Sequence, residues 1–468
     1  MKHRMKKEEN IIEQNRRDFI KGSSLATLMM LMGGVPIRAE DKPKTEEGGT
    51  TFKTTGAPLN CAVIGCGAWG RDLLKELARL PNAPVVAICD NYEPFLRRSK
   101  ESAPKAETFT DYLKLLQKKE VQGVFVATPS HLHKDIAIAA LQAGKHVYCE
   151  APLATTVEDA RAIAQAARAA GRLHFQAGQQ LRSDPQRRSL LGFVRTGSLG
   201  RMALARAQWH KKQSWRRTST NADREKELNW RLRNATSPGL IGEIGLHQLD
   251  MASWFINAQP VSVTGFGAII KWNEDGRDVP DTIQAVVEYP GGVKLSYDCT
   301  LANSFDAEYE MYYGSDAALM IRDNKAWMFK EVDAPLEGWQ VYARKDSFYK
   351  ESGIALDANA TKLKAIGKKA TEAAAPDEES PLHFALEAFI IHANAISSAV
   401  EDFASNYDVN DRPALAEHLA GIRKILMVDK PCAGFKEGFE AAVTAIKTNE
   451  AILKGQKVTF QKAWFEIG

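Results

Sequence analysis

The sequence predicts an α/β fold: a doubly wound parallel sheet in the N-terminal part, followed by an α+β domain whose strands are mostly antiparallel. Three observations predict it. From residue 58 to about 180, short apolar runs alternate with helical stretches, the pattern of strands buried on both faces and joined by crossover helices. The first of these runs ends in a glycine-rich turn that opens a helix. Beyond residue 200 the runs change to a two-residue alternation punctuated by glycine and proline. With 468 residues, 44% hydrophobic and 26% charged, the chain can build two or three cored domains.

The leader has its own character. Residues 1–39 hold eight Lys/Arg against four acids, so their net charge equals the +4 of the whole chain. The remainder is neutral overall, and the basic balance gives no case for nucleic acid. Asn15-Arg16-Arg17-Asp18-Phe19-Ile20-Lys21 precedes the apolar stretch Leu25–Met32, and Ile37-Arg38-Ala39 makes a poor cleavage site. This resembles a twin-arginine signal, an address for export of an already folded protein to the bacterial periplasm. The apolar stretch is shorter than the ~20 residues a span needs, so no span is expected in the mature form; retention as an anchored form is the alternative. Residues 40–57 read as a polar tether. Six cysteines (Cys61, Cys66, Cys89, Cys149, Cys299, Cys432) show neither a C-x-x-C pair nor zinc-like spacing. No disulfide and no metal site are expected.

Residues 58–180 form the first predicted domain. Cys61-Ala62-Val63-Ile64 leads into Gly65-Cys66-Gly67-Ala68-Trp69-Gly70, and a helix follows to about Leu80. In a strand–turn–helix context these glycines serve a tight turn, backbone approach to a pyrophosphate, and close helix packing. The helix N-terminus offers free amides and a positive dipole end to the phosphates. Pro84–Cys89 reads as the next strand, closed by Asp90, at the spacing of ~20 residues where an acid binds the ribose hydroxyls of NAD. A carboxylate there repels a 2′-phosphate, so NAD is expected over NADP; the alternative is an Asp90 that merely ends a strand. Val121–Ala127, Lys145–Cys149 and Leu173–Ala177 continue the strands, and His133–Ala143 and Thr156–Ala170 the helices.

Two further stretches, Ala127-Thr128-Pro129-Ser130-His131-Leu132-His133 and Ala143-Gly144-Lys145-His146-Val147-Tyr148-Cys149-Glu150-Ala151-Pro152, resemble the Gfo/Idh/MocA oxidoreductase family. The resemblance runs from about Leu59 to Phe266. It implies an N-terminal Rossmann domain and a C-terminal domain whose large, mostly antiparallel sheet covers the nicotinamide. It also implies oxidation of a sugar or cyclitol hydroxyl. The implied cofactor contacts are Gly65, Gly67, Ala68, Trp69, Gly70, Asp90, Thr128, Pro129, His131, His133, Glu150, Ala151 and Pro152. One departure matters: the family's Glu-Lys-Pro signature is Glu150-Ala151-Pro152 here, so a lysine that aids catalysis is missing. A similar loss occurs in NAD-dependent glycoside hydrolases, which oxidise their substrate transiently.

The second informative stretch is Gly239–Phe255. On a helix, Glu243, His247 and Asp250 lie at i, i+4 and i+7 and form one stripe. In the resembled family an acid four residues before a histidine is the catalytic pair. A histidine suits proton abstraction from a hydroxyl, with Glu243 orienting the imidazole or binding a hydroxyl. Asp250 would anchor the helix, bond the second ring nitrogen or bind substrate. A carboxylate–imidazole metal site and an ordinary core histidine are the alternatives. The polar aromatic stretch 211–230, with Trp230, suits sugar stacking and hydroxyl binding, or equally a subunit rim, while Trp209 and Arg182, the latter beside Gln179-Gln180 near the same mouth, are expected to bind substrate.

The second domain, 181–468, contains the alternating runs Arg201–His210, Val261–Phe266, Thr282–Tyr289, Val293–Cys299, Tyr309–Tyr313 and Leu319–Arg322. Pro290-Gly291-Gly292 is expected to join two of them as a hairpin. Residues 352–380 read as a charged surface insertion. Helices are expected at Leu382–Val400, Pro413–Met427 and Glu437–Leu453, beside the sheet, with a last short strand at Lys457–Phe460. An open sheet face suits a homodimer or homotetramer. The expected function is an exported NAD-dependent oxidoreductase acting on a carbohydrate hydroxyl. A glycoside hydrolase or lyase with tightly held NAD is the alternative, and a non-catalytic sugar-binding protein the third reading.

Overall fold

The computed structural model describes residues 57–322, 325–335 and 379–468, together with the backbone of the strands at 345–348 and 351–356. The leader and the tether up to residue 56 lie outside these residues. Most of the expected insertion does too, although its first residues, 352–356, belong to a strand.

The first sheet contains β1 (Cys61–Ile64), β2 (Val85–Cys89), β3 (Glu107–Phe109), β4 (Gly123–Val126), β5 (His146–Cys149) and β6 (Phe175–Ala177), in the order β3-β2-β1-β4-β5-β6. Every pairing is parallel. Strands β1, β4 and β5 are buried throughout, which is why they read as unbroken apolar runs. The crossovers carry α1 (Ala68–Leu77), α2 (Glu93–Ser99), α3 (Tyr112–Leu116), α4 (His133–Gln142) and α5 (Val157–Ala169). Helix α5 starts where its sequence says it should: the Thr156 hydroxyl accepts the Asp159 amide at 3.1 Å, and Glu158 and Asp159 face the positive end of the dipole. The connections reverse direction between β1 and β4, which opens a crevice at the carboxyl ends of those strands.

The second sheet has ten strands in the order β14-β15-β13-β12-β11-β7-β10-β9-β8-β16. These are β7 (Met202–His210), β8 (Ser262–Ala268), β9 (Thr282–Glu288), β10 (Lys294–Thr300), β11 (Glu308–Gly314), β12 (Ala317–Arg322), β13 (Lys325–Lys330), β14 (Lys345–Phe348), β15 (Glu351–Leu356) and β16 (Val458–Thr459). Its pairings are antiparallel except β7 with β10. Alternation decides which face is buried: Ala205, Ala207, Leu295, Tyr297, Ile283, Ala285 and Val287 point into the core, while Leu204, Arg206, Ser296 and Val286 point out. Helices α6 (Pro185–Arg195), α7 (Ala222–Leu228) and α8 (Leu246–Ile256) lie before β8 in the chain.

The last three helices correct the sequence reading. They are α9 (Pro381–Asn406), α10 (Arg412–Asp429) and α11 (Phe435–Lys454). Helix α9 packs on the parallel sheet, where Leu382, Leu386, Phe389 and Ile390 share one core with Val63, Phe125 and Tyr148. Helix α11 serves both units: Phe439 and Val443 join the parallel-sheet core, and Ala445 and Ile452 join that of the large sheet. A fold boundary at residue 180 therefore separates the strands but not the cores. All six cysteines are free and buried. No helix among the described residues is long and apolar enough to cross a membrane.

Candidate active site

The glycine turn closes the carboxyl end of β1. Gly65 has φ +98°, and a Cβ there would stand 2.5 Å from the Ala127 carbonyl oxygen. A Cβ on Gly70 would meet the Gly65 oxygen at 1.8 Å, so only glycine lets α1 approach the turn. Gly67 differs, because its missing Cβ faces open space. Gly67 precedes the first turn of α1 without capping it through a side chain, and no acid occupies that turn. The first amides of α1 therefore remain available to an anion. Asp90 at the end of β2 accepts the Cys66 amide (2.8 Å) and the Tyr92 amide (2.8 Å), which fixes its carboxylate against the turn.

A cavity of about 1430 Å³ runs from this turn to the large sheet. That exceeds the 300–1,000 Å³ typical of a site for one small molecule, and leaves room for a dinucleotide with a second ligand. Of the sequence-predicted cofactor contacts, Gly65, Gly67, Ala68, Trp69, Asp90, Thr128, Pro129, His131, His133, Glu150 and Ala151 line it. Gly70 and Pro152 do not, and act from behind the wall. The Pro152 carbonyl lies 2.9 Å from His133 Nδ1, and the Thr128 carbonyl 2.9 Å from its Nε2, so His133 ties two loops together.

His247, Glu243, Trp209 and Trp230 line the same cavity. The expected α-helical stripe is altered, because Ile241–Gly245 form a π-helical turn before α8. This extra residue in the turn changes the faces that Glu243 and His247 share. Glu243 does not orient the imidazole through a hydrogen bond. Its carboxylate instead accepts Ser130 Oγ and Ser237 Oγ (3.1 Å each) and Arg231 Nε (3.3 Å). Asp250 and Arg182 are absent from the lining. They bind each other through two 2.8 Å hydrogen bonds, with the guanidinium 5.1 Å from the Trp254 ring. Asp250 is therefore a buried partner for a buried arginine, and His247 Nδ1 is left without a protein partner.

Four side chains escaped the sequence reading. Ser130 and Ser237 hold Glu243, while Arg231 reaches it from above Trp230, 4.8 Å from that ring, and 5.7 Å from Trp215. Arg224 lines the cavity near Asp90, 4.3 Å above the Tyr92 ring. Isolated serines and arginines carry no sequence signal; their relation to Glu243 and Asp90 exists only in three dimensions.

The lining shows what the cavity suits. The glycine cradle and the fixed Asp90 carboxylate at one end, and His247, Trp209 and Trp230 at the other, fit a dinucleotide with a hydroxyl-rich molecule beside it. Burial lowers the His247 and His131 imidazoles, so both stay neutral near pH 7. Burial raises Glu243 despite Arg231, and pushes Glu150 up to about 7 despite Trp69 and the Ala151 amide.

Two family models match: the oxidoreductase family with an NAD-binding Rossmann fold over residues 59–178, and the Gfo/Idh/MocA C-terminal domain over residues 188–319. The chain belongs to the Gfo/Idh/MocA family. Inositol 2-dehydrogenase of Salmonella typhimurium is 28% identical over 201 residues, 42% of this chain and 55% of the relative. Levoglucosan dehydrogenase of Pseudarthrobacter phenanthrenivorans is 27% identical over 270 residues, 52% of this chain and 67% of the relative. The chain thus spans about half the length of the inositol dehydrogenases it matches. Among solved structures, an oxidoreductase domain protein from Kribbella flavida superposes with a TM-score of 0.63 at 19% identity, covering 86% of this chain and 100% of that one. A levoglucosan dehydrogenase in complex with NADH and L-sorbose gives 0.61 at 17%, covering 86% and 99%. These likenesses show a shared Gfo/Idh/MocA fold.

Proposed function

We propose that this chain oxidises a hydroxyl of a sugar or cyclic polyol, with NAD held by the glycine turn and Asp90 and with His247 as the base. The observation that carries the reading is the cavity itself: the free amide end of α1 at one end, and the lining His247, kept neutral by burial, at the other. Gly65, Gly67, the first amides of α1 and Asp90 would hold NAD, which supplies the hydride acceptor. The family match and the two dehydrogenases named above support the same class.

The residues at the far end divide the remaining work. His247, neutral through burial, takes the proton of a hydroxyl held in the cavity it lines. Trp209 and Trp230 offer ring faces to the carbohydrate. Glu243 is a positioning residue that fixes Ser130, Ser237 and Arg231 around the site. Asp90 favours NAD over NADP, which a comparison of the two cofactors checks.

Incubating the protein with NAD and a panel of sugars, polyols and glycosides tests the reading. NADH should form with the wild type, and His247→Ala should lower turnover by ~10²–10⁴-fold, the range of general-base catalysis. The acid limb of the wild-type profile should fall below pH 6.5, the ordinary histidine value, because burial lowers this imidazole. Wild-type turnover in His247→Ala would remove the base assignment. Ala151, which lines the cavity in place of the family's lysine, favours a second reading: release of aglycone without net NADH would mean a closed redox cycle on a glycoside.

We propose also that the twin-arginine leader directs the folded protein to the periplasm, and that the outer face of the large sheet pairs with a second copy. Fractionation of cells carrying Arg16→Lys with Arg17→Lys should find the protein in the cytoplasm; unchanged export would reject the signal.

A further inference from the structure

A second cluster of functional side chains lies away from the cavity, between the parallel sheet and α9. Three buried side chains with metal-binding atoms converge there from distant parts of the chain. His174 lies just before β6, His392 on α9, and Cys432 in the turn between α10 and α11. One ligand atom from each falls within 4.8 Å of the other two. Cys432 Sγ stands 3.9 Å from His392 Nδ1, and also 3.9 Å from Met427 Sδ at the end of α10. Met427 is 39% exposed, so the thioether marks the solvent side of an otherwise buried cluster.

We propose that His174, His392 and Cys432, with Met427 as an outer donor, form a site for one thiophilic transition-metal ion, zinc or copper. The geometry is close to what such an ion requires. Bonds of about 2.1 Å to nitrogen and 2.3 Å to sulfur in a tetrahedron set the N···S separation at about 3.6 Å. The Cys432–His392 pair, at 3.9 Å, is already near this, and all three ligand atoms lie within 4.8 Å of one another.

Three further features support the assignment. His392 Nε2 lies 2.7 Å from the Lys430 carbonyl oxygen, an arrangement that fixes the tautomer and turns Nδ1 toward the sulfur. His174 Nε2 faces Gln176 Oε1 at 3.3 Å, and the His174 main-chain amide donates to His146 Nδ1 at 2.9 Å, which steadies that strand end. Donor chemistry then selects the ion: thiolate, thioether and imidazole suit copper and zinc, not the oxygen-seeking cations. Metal binding releases the Cys432 proton to solvent.

The site would join β6, α9 and the α10–α11 turn, which are also linked by the Ala177–Ala433 bridge, by the packing of α9 on the sheet and by the small cluster of Ile396, Phe403, Leu415 and Leu419 between α9 and α10. It is separate from the cavity, since none of its four residues lines that space.

The test uses the full chain, stripped by chelator and titrated separately with Zn²⁺ and, under anaerobic conditions, with Cu⁺. One equivalent should bind and raise Tm, and Cys432→Ser and His392→Gln should each abolish both effects. X-ray absorption of the loaded wild type should show one sulfur and two imidazole nitrogens, a readout that does not depend on variant folding. A larger affinity loss for Cu⁺ than for Zn²⁺ in Met427→Ala supports copper as the fitting ion; equal affinities support zinc. Wild-type binding no tighter than that of Cys432→Ser, or a metal shell without sulfur, overturns the proposal.

Discussion

Glu150 shows how burial at one residue gives a pH signature to the whole chain. Its carboxyl is held at about 7 against an ordinary 4.5, because the side chain is enclosed beside Gly178 and Oε1 has no protein partner. The native state therefore keeps a proton that the unfolded chain gives up as pH rises above 4.5. Stability falls across the window from pH 4.5 to 7, and the loss is complete above it. A shift of this size corresponds to ~3 kcal/mol. In the cofactor-free protein, Glu150→Gln should match the wild type near pH 4.5 and exceed it by about that amount at pH 8, by denaturant unfolding at each pH. A difference that does not vary with pH would show that Glu150 is charged when folded. The residue scale also marks the limit of sequence reading. Gly65 and Gly70 were legible because backbone geometry demands glycine at both positions. For Arg182, expected at the substrate, and Asp250, open between helix anchor, ring-nitrogen partner and substrate contact, sequence could not reveal that each is paired with the other. The His174–His392–Cys432 cluster was invisible for a related reason: ligands spread over more than 250 positions leave no local spacing to recognise.

At the element scale, period and punctuation predicted most strands and helices, and their partners proved harder. The apolar runs of β1, β4 and β5 announce strands buried on both faces, yet do not say what covers them. Part of the cover is α9, which returns to the parallel sheet from the far end of the chain. Phe389 is its central contact: fully buried, 4.8 Å from the Phe125 ring and 6.0 Å from that of Tyr148. Phe389→Ala should therefore cost about 3–5 kcal/mol, the range for removing a buried aromatic ring. Both the cofactor-binding sheet and the C-terminal helices should lose stability in one transition, as read by denaturant unfolding and hydrogen exchange of β4 and β5. A cost under ~1 kcal/mol would mean that the sheet is stable without this helix. The π-helical turn at Ile241–Gly245 belongs to the same lesson. The sequence reads as a continuous helix, but the added residue lets Glu243 engage Ser130 and Ser237 while Asp250 faces Arg182.

For the whole molecule, the two faces of the ten-stranded sheet have different roles. The inner face carries Trp209 to the cavity, and the core side chains of β9 and β10 lie on the same side. The outer face presents Leu204, Val286 and Phe266 at 38%, 41% and 64% exposure on strands that are close neighbours, among Arg206, Lys294 and Ser296. An apolar strip of this kind across several strands is costly in water and suits burial against its own symmetry mate. Because the cavity opens on the opposite side, pairing through the outer face leaves access to it free. The wild type should therefore be a dimer or a larger even oligomer by light scattering at micromolar concentration. Val286→Glu places a buried, unpaired charge at the centre of such an interface and should shift the protein to monomer, with NAD affinity unchanged. A monomeric wild type, or a Val286→Glu variant of unaltered mass, would show that this face serves another purpose.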